Sequence, residues 1–298
     1  MEGPILFSVV IPTYNRATFV TKTIQTFLQQ TYTNFEIIVV DDGSKDNTEE
    51  MVQTISDPRF RYFKKENGER GAARNFGLAK ALGNYVNFFD SDDIAYPNHL
   101  QVAADLIALK QYPEVFNLAY DIKAPDGKLL SEHNHYDGNV EAYAVATKRV
   151  SINALFVKTE AACAIKFSEN RLLSASEDAL FLCQLCARHT LHYNNTITST
   201  IIEHDNRSMV IATEQQLKKR QQLMIVGLES DPVFMKKYGH TVPAINREFN
   251  YLLCLSSLAS KENKKAAGYF SNYITGQSSN LFSQRTLVFL KKFVFNLG

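Results

Sequence analysis

The sequence predicts an α/β fold, a sheet flanked by helices, followed by a mostly helical C-terminal extension. Three observations carry that prediction. Four short apolar runs alternate with helix-spaced segments over the first hundred residues, each run ends in a polar cluster, and helical spacing continues from about residue 213 to the end. Strands alternating with helices are the pattern of a parallel sheet with helices on its faces.

Phe7-Ser-Val-Val-Ile11 is the first strand, ended by Pro12. From Ala17 to Gln30, Phe19, Val20, Ile24, Phe27 and Leu28 follow helical spacing. Phe35 to Val40 is a second buried strand, ended by Asp41-Asp42-Gly43-Ser44. Asp46 or Asn47 caps the next helix, whose first turn carries Glu49 and Glu50, the charge sign that suits a helix N-terminus. Phe60 to Phe63 is the third strand, and Ala72 to Leu82 the third helix, ended by Gly83. The fourth strand, Asn84 to Phe89, runs into Asp90-Ser91-Asp92-Asp93.

Beyond residue 100 the pattern loosens. Leu100 to Leu109 reads as a helix, Val115 to Asp121 as a strand, and Pro125-Asp126-Gly127-Lys128 as the turn between two strands. The polar stretch 131–149 reads as a mobile loop and Ser151 to Val157 as a strand. Glu177 to Arg188 is a helix with Ser174-Ala175-Ser176 as its cap, and Leu191 to Glu203 has the character of a hairpin.

Composition narrows the function classes. The 298 residues are 45% hydrophobic and 21% charged, as in an ordinary globular protein. A net charge of +1 gives no electrostatic case for nucleic acid. The four cysteines are too scattered for a disulfide framework, which suits a reducing compartment. Cys183-Gln-Leu-Cys186 has CxxC spacing but lies in an apolar helical run, so core packing is favoured over redox or zinc chemistry. The N-terminus lacks a basic region like that of a signal peptide, and no stretch reaches the length of a membrane span. These features predict a soluble, cytoplasmic protein.

In open α/β sheets, ligands bind beyond the carboxyl ends of the strands. The loops there carry Pro12-Thr-Tyr-Asn15, Asp41-Asp-Gly-Ser44, Asn67-Gly68-Glu-Arg70-Gly71 leading to Arg74, and Asp90-Ser-Asp-Asp93. Three carboxylates at one strand end repel one another unless a cation lies between them, and a hard divalent ion with oxygen ligands is the usual answer. A solvated acidic turn that caps a helix is the plainer reading of the same residues.

Together these loops resemble glycosyltransferase family 2, the inverting nucleotide-sugar transferases of GT-A fold. Six elements match in order: Val9-Val-Ile-Pro-Thr-Tyr-Asn-Arg16, Ile24 through Gln30-Thr31-Tyr32, Phe35 to Ser44, Gly71-Ala-Ala-Arg-Asn-Phe-Gly77, Gly83 through Asp93, and Glu177-Asp178. The resemblance is dense over residues 7–100, thinner to about 205 and weak beyond. It implies a GT-A (Rossmann-like) mixed sheet flanked by helices. Residues 1–100 would form the nucleotide-sugar-binding half, 101–210 the acceptor-binding half and 211–298 a helical C-terminal region. It further implies a UDP-sugar donor, a Mn²⁺ or Mg²⁺ cofactor, and transfer of a hexose or N-acetylhexosamine to a glycan or lipid-linked glycan in bacterial surface-polysaccharide assembly.

By the same resemblance, Asp92 is the metal ligand and Asp90 contacts the ribose or the metal's surroundings. Asp93 either supports that site or caps the next helix. Asp42 reads the uracil, with an Asx-turn at Gly43 as its plainer role, and Pro12, Tyr14 and Asn15 line the base pocket. Arg74 approaches the diphosphate, with Arg70 a second cation. Asp178 is the base that takes the acceptor hydroxyl's proton, and Glu177 contacts the acceptor or holds Asp178. His204, in Glu203-His-Asp-Asn-Arg-Ser208, closes over the diphosphate or binds the metal.

Two rival readings remain at this stage. One is a metal-dependent nucleotidyltransferase, although Pro12-Thr-Tyr-Asn-Arg16 is not the glycine-rich, lysine-bearing loop such enzymes use. The other is a catalytically silent sugar-nucleotide or glycan-binding protein. The segment Leu281 to Gly298 is apolar with Arg285, Lys291, Lys292 and no acid. It reads either as a helix packed on protein or as an interfacial helix making peripheral contact with the inner face of the plasma membrane.

Overall fold

The computed structural model describes residues 3–134, 138–139, 150–204, 212–275 and 284–295. The chain divides into two compact units, Met1–Asp205 and Asn206–Gly298.

The first unit is built on a mixed sheet. Its strands are β1 (Phe7–Thr13), β2 (Phe35–Asp41), β3 (Phe60–Lys64), β4 (Tyr85–Phe88), β5 (Ile94–Ala95), β6 (Val115–Lys123), β7 (Leu129–His133), β8 (Gly138–Asn139), β9 (Leu155–Lys158) and β10 (Leu191–Ile202). Spatial order is β3-β2-β1-β4-β9-β6-β10-β5, with β7 on β6 and β8 on β10. The helices of this unit are α1 (Ala17–Leu28), α2 (Thr48–Gln53), α3 (Glu69–Leu78), α4 (His99–Leu109), α5 (Thr159–Ile165) and α6 (Glu177–Arg188).

Strands β1 to β4 are mutually parallel, as the alternating pattern predicts. β9 is antiparallel to both β4 and β6, which makes the sheet mixed. Two reversals restore the original sense, so β6 and its parallel partner β10 end on the same rim as β1 to β4. β9 begins on that rim, which places residues 151–154 there too.

β1 continues through Pro12 to Thr13 rather than stopping before the proline. Val10 accepts from the Phe89 N–H on the β4 side, and Thr13 accepts from the Asp42 N–H on the β2 side. Pro12 shares the parity of Val10, so its missing N–H faces the side where the pairing with β4 has already ended. The sheet loses no hydrogen bond there.

Two further expectations are corrected. The third helix begins at Glu69, not Ala72, because the Asp42 carboxylate accepts from the N–H groups of Gly68 (2.9 Å) and Glu69 (2.8 Å). That cap comes from a loop 26 residues upstream and is invisible to local reading. Gly71 and Gly77 lie inside the helix for close packing, since a Cβ would sit 2.1 Å from the Ser168 carbonyl oxygen at Gly71 and 2.4 Å from Val10 Cγ1 at Gly77.

The expected hairpin over Leu191–Glu203 is instead one strand, β10, parallel to β6. Asn194-Asn195-Thr196, which reads as a turn, is a bulge: the register with β6 shifts between Asn194 and Ile197 and again before Ser199. The difference matters for function. A hairpin would return the chain to the opposite rim, whereas a single strand delivers Glu203 and His204 to the loop-bearing rim.

Residues 131–133 lie in β7, while 135–137 and 140–149 of the expected loop fall outside the described residues. The expected strand over Ser151–Val157 opens with a 3₁₀ turn, Ile152–Ala154, and becomes extended only at Leu155. Cys183 and Cys186 are buried on α6, in keeping with core packing, and burial pushes the Cys183 thiol pKa up.

The core beneath α1 and α4 joins Phe7, Val9, Ile11, Val20, Ile24, Phe27, Phe116 and Phe156. Full burial of such side chains contributes about 1.5–3 kcal/mol each. His99 sits in this core, donating to or accepting from Thr198 Oγ1 at 2.9 Å, and burial pushes its pKa down to about 3. It is a neutral packing residue.

The second unit is helical, as expected: α7 (Glu214–Glu229), α8 (Pro232–Tyr238), α9 (Val242–Ala259), α10 (Asn263–Ile274) and α11 (Gln284–Phe295). Phe289 of α11 stacks on Phe270 at 3.8 Å, within a cluster that includes Tyr251, Leu258 and Tyr273. Among the described residues no helix is long and apolar enough to cross a membrane.

Candidate active site

The rim carries three groups of charged residues. The first is centred on Arg74, which α3 carries into the interior rather than to the surface. Its Nη1 donates to Glu177 Oε1 at 2.7 Å and its Nη2 to Asp90 Oδ1 at 2.9 Å, with the Phe167 ring 5.3 Å away. Burial opposes the charge, but the carboxylates of Asp90, Glu177 and Asp178 outweigh it and raise the Arg74 pKa. One guanidinium thus ties the end of β4 to the start of α6.

Asp178 follows Glu177 in the first turn of α6. One carboxylate oxygen accepts from the Ala179 N–H at 2.8 Å. Burial, then the neighbouring charge of Glu177, raise its pKa, while Arg74 pulls the other way. A carboxylate whose proton affinity is raised by its surroundings is suited to proton transfer.

The second group is Asp92 with His204 and Arg16. His204 Nε2 lies 3.2 Å from Asp92 Oδ2, and the Arg16 guanidinium pairs with the same oxygen. The His204 ring stacks on Phe19 of α1 at 4.7 Å, and both ring nitrogens are buried without a hydrogen bond to any described residue. A carboxylate beside an imidazole with unsatisfied nitrogens is a donor set that suits a divalent cation. Among the described residues no three His, Cys, Asp or Glu side chains cluster for a metal. A cation held by this pair would draw its remaining ligands from phosphate oxygens and water, the usual arrangement for Mg²⁺ on a nucleotide.

Asp93 does not cap the next helix. Its Oδ1 accepts from the Ile202 N–H (2.9 Å) and its Oδ2 from Asn153 Nδ2 (2.6 Å), while Asn153 Oδ1 accepts from the Asp90 N–H (2.9 Å). These bonds fix the acidic loop against the end of β10, two residues before His204.

The third group is the Asp42 cluster. Besides capping α3, the Asp42 carboxylate accepts from Lys65 Nζ at 2.8 Å and Asn67 Nδ2 at 3.0 Å. Asn15, at φ 51°, accepts from the Lys45 N–H through its side chain, and its own N–H donates to Ser44 Oγ, both at 2.8 Å. Asparagine tolerates this left-handed backbone better than most residues. Pro12 is buried within β1, whereas Tyr14 is 43% exposed and presents its ring to solvent.

The structure therefore joins Arg74, Asp90 and the Glu177-Asp178 pair, joins Asp92 to His204, and places Asp42, Asn15 and Tyr14 on the first two loops of the same rim. Sequence reading missed Asn153, the Arg16 contact with Asp92, and a chain in which Lys123 donates to the Tyr96 hydroxyl (2.7 Å), which donates to Asp121 (2.8 Å). Asn153 lies in a run that reads as ordinary strand, and its residue type carries no local signal.

Residues 8–123 match the family model described as Glycosyl transferase family 2. Over these residues the chain is similar to family 2 glycosyltransferases. Glycosyltransferase GlyG of Streptococcus pneumoniae serotype 4 is 35% identical over 143 residues, 47% of this chain and 48% of that protein. An uncharacterized glycosyltransferase of Rickettsia conorii is 46% identical over 103 residues, 34% of this chain and 17% of that protein. The chain thus spans less than half the length of these curated relatives.

Solved structures of glycosyltransferases share the fold. Staphylococcus aureus TarS, in complex with UDP-GlcNAc, superposes with a TM-score of 0.64 at 20% identity, covering 90% of this chain and 89% of that one. Mannosyltransferase PcManGT from Pyrobaculum calidifontis, with GDP-Man and Mn²⁺, gives a TM-score of 0.56 at 15% identity, covering 97% and 85%.

Proposed function

We propose that the protein is a metal-dependent inverting glycosyltransferase that moves a hexose or N-acetylhexosamine from a UDP-sugar to a glycan or lipid-linked acceptor in bacterial surface-polysaccharide synthesis. The observation that carries the reading is the pairing of Asp92 with His204, whose ring nitrogens make no hydrogen bond among the described residues, beside the Arg74–Asp90–Glu177 network on the rim of the region that resembles family 2. Structural neighbours that bind UDP-GlcNAc, or GDP-Man with Mn²⁺, support a nucleotide-sugar donor and a divalent ion.

In this reading Asp92 and His204 hold Mn²⁺ or Mg²⁺, which supplies Lewis-acid neutralisation of the leaving diphosphate. Tyr14, with Pro12, Asn15 and Asp42, lines the base end. Arg74 positions Asp90 toward the nucleotide and holds Glu177 in place. Asp178 takes the acceptor hydroxyl's proton as that oxygen bonds to the anomeric carbon. The sugar–phosphate bond breaks from the opposite face, and UDP departs with its electron pair.

The test combines a thermal-shift screen of nucleoside diphosphate sugars with Mn²⁺ and turnover assays of Asp92→Ala. A UDP-sugar should raise Tm only with metal present, since selective binding to the folded state stabilises it, and Asp92→Ala should lose that metal-dependent shift together with turnover. A wild-type Tm unmoved by every sugar nucleotide tested, or unaltered turnover in Asp92→Ala, removes the mechanism.

The acceptor end of the reading concerns α11. Phe289 and Phe293 pack inward, yet Leu287, Val288 and Leu290 are exposed beside exposed Lys291, and the helix contains no acid. We place this face against an anionic membrane surface, where a lipid-linked acceptor would lie. Vesicles containing phosphatidylglycerol should co-sediment the full chain and release a Leu287→Glu/Leu290→Glu variant; equal partitioning of the two removes the membrane contact.

A further inference from the structure

Asp41, which ends β2, pairs with Lys64, which ends the parallel β3, so the next residues, Asp42 and Lys65, leave the sheet side by side. Lys65 Nζ donates to Asp42 Oδ1 at 2.8 Å and also to the Glu66 carbonyl. The Lys65 side chain is 19% exposed and that of Asp42 6%. Gly68 leaves room for the ammonium, since a Cβ there would stand 2.8 Å from Nζ.

An ionised carboxylate offers about four lone-pair positions, and donors fill them at Asp42. Oδ1 takes Lys65 Nζ and the Gly68 N–H, while Oδ2 takes Asn67 Nδ2 and the Glu69 N–H. A base N–H can therefore bind Asp42 only where one of these donors gives way. The N–H groups of Gly68 and Glu69 belong to the backbone that opens α3. The Asn67 carboxamide is held at both ends: Nδ2 also donates to the Asp42 carbonyl at 3.0 Å, and Oδ1 accepts from Arg171 Nη1 at 2.8 Å. Lys65 differs from these three, being a charge with rotatable donors on a flexible stem.

We propose that Lys65 sets the base selectivity of the donor site: it yields its place on Asp42 Oδ1 to a base N–H and donates to the carbonyl beside that N–H. The inference rests on the reading above, which puts the base at Asp42. Strand β3 is the one furthest from β4, whose end carries the acids assigned to ribose and metal, in the spatial order β3-β2-β1-β4. Lys65 therefore faces the carbonyl far from the ribose, which in uracil is at C4 beside N3–H. Cytosine would turn a lone pair at N3 to the carboxylate and an amino group at C4 to the ammonium. Both contacts oppose binding, and opposed polar groups discriminate far better than a change of shape. The ammonium moves only from an oxygen of Asp42 to a neighbouring one on the base, so the ion pair is lengthened rather than lost.

Equilibrium binding of UDP, CDP and 4-thio-UDP, each with Mn²⁺, tests this without turnover. 4-Thio-UDP keeps N3–H but carries sulfur, a weak acceptor, at C4. Wild-type protein should bind UDP at least about tenfold more tightly than either analogue, the worth of one hydrogen bond from a charged donor. Lys65→Met should bind 4-thio-UDP as tightly as UDP and keep only that part of the preference over CDP which Asp42 supplies. Lys65→Gln, a neutral and weaker donor, should shrink the sulfur deficit, and it serves if the Met variant does not fold. A sulfur deficit that is absent in wild type, or unchanged in both variants, overturns the role of Lys65 and leaves the glycosyltransferase reading standing. Wild-type protein that binds neither UDP nor GDP, with or without Mn²⁺, overturns both.

Discussion

Asp178→Asn should lower kcat for sugar transfer by about 10²–10⁴-fold, the range a positioned general base contributes, while UDP affinity stays at its wild-type value. The carboxylate sits one residue beyond Glu177, whose side chain holds Arg74, so its loss leaves the hydrogen bonds of Arg74 to Glu177 and Asp90 in place. Burial and the charge of Glu177 raise the Asp178 pKa. Because the deprotonated form is the base, activity should fall as pH drops through that raised pKa, at a pH above the ordinary carboxylate range. The stability sign is opposite to the common carboxylate case. A folded pKa above the unfolded one means that the folded state holds the proton more tightly, so its contribution is present below the unfolded pKa and is lost as pH rises through the folded pKa. A neutral Asn escapes that loss, so the variant should melt higher than wild type at neutral pH, with the gap closing in acid. Wild-type kcat in the variant, measured beside calorimetric UDP binding, would falsify the assignment.

The contrast between what local sequence revealed and what it hid follows the range of the interactions involved. Strands β1, β2 and β4 were legible because parallel strands buried on both faces are continuous apolar runs, and α6 was legible from Glu177 to Arg188 because its apolar spacing is regular. The acids of the rim were legible as residues, since like charges crowded at strand ends demand an explanation. What they touch was not. The cap on α3 is the carboxylate of Asp42, and the brace under the acidic loop is Asn153, which is 63 residues from Asp90 in the chain. The bulged β10 was misread because Asn194-Asn195-Thr196 has turn chemistry, and only pairing with β6 keeps it extended.

Arg74 shows the same limit with energetic consequences. In the third helix an arginine is by default a solvated surface residue, and the resemblance gave Arg74 a place at the diphosphate without signalling its burial. The structure buries it between two carboxylates, with no hydrogen-bond partner for Nε among the described residues. A fully buried cation persists only where its counter-charges are fixed, so the arginine and the start of α6 depend on each other. That interdependence also connects the donor half of the rim to Asp178, because moving Glu177 moves the first turn on which the base sits.

Arg74→Met should therefore destabilise the protein by about 3–5 kcal/mol, the cost of breaking a buried ion pair from one side. The methionine fills much of the aliphatic volume beside Phe167, so the loss reports chiefly on Glu177, 2% exposed and left without its cation. Glu177→Gln alone should cost less, because Arg74 keeps Asp90. The double variant Arg74→Met/Glu177→Gln should recover part of the loss of Arg74→Met, since an uncharged amide at the buried position no longer needs a cation. Urea unfolding of the four proteins gives the interaction energy directly as the departure from additivity. Additive losses, or an Arg74→Met variant within about 1 kcal/mol of wild type, which is the spread of ordinary substitutions, would show that Arg74 and Glu177 do not hold the rim together. With the expected coupling, Asp90 and Asp178 are the two ends of one electrostatic unit, and a substitution at Arg74 should disturb donor and acceptor steps together.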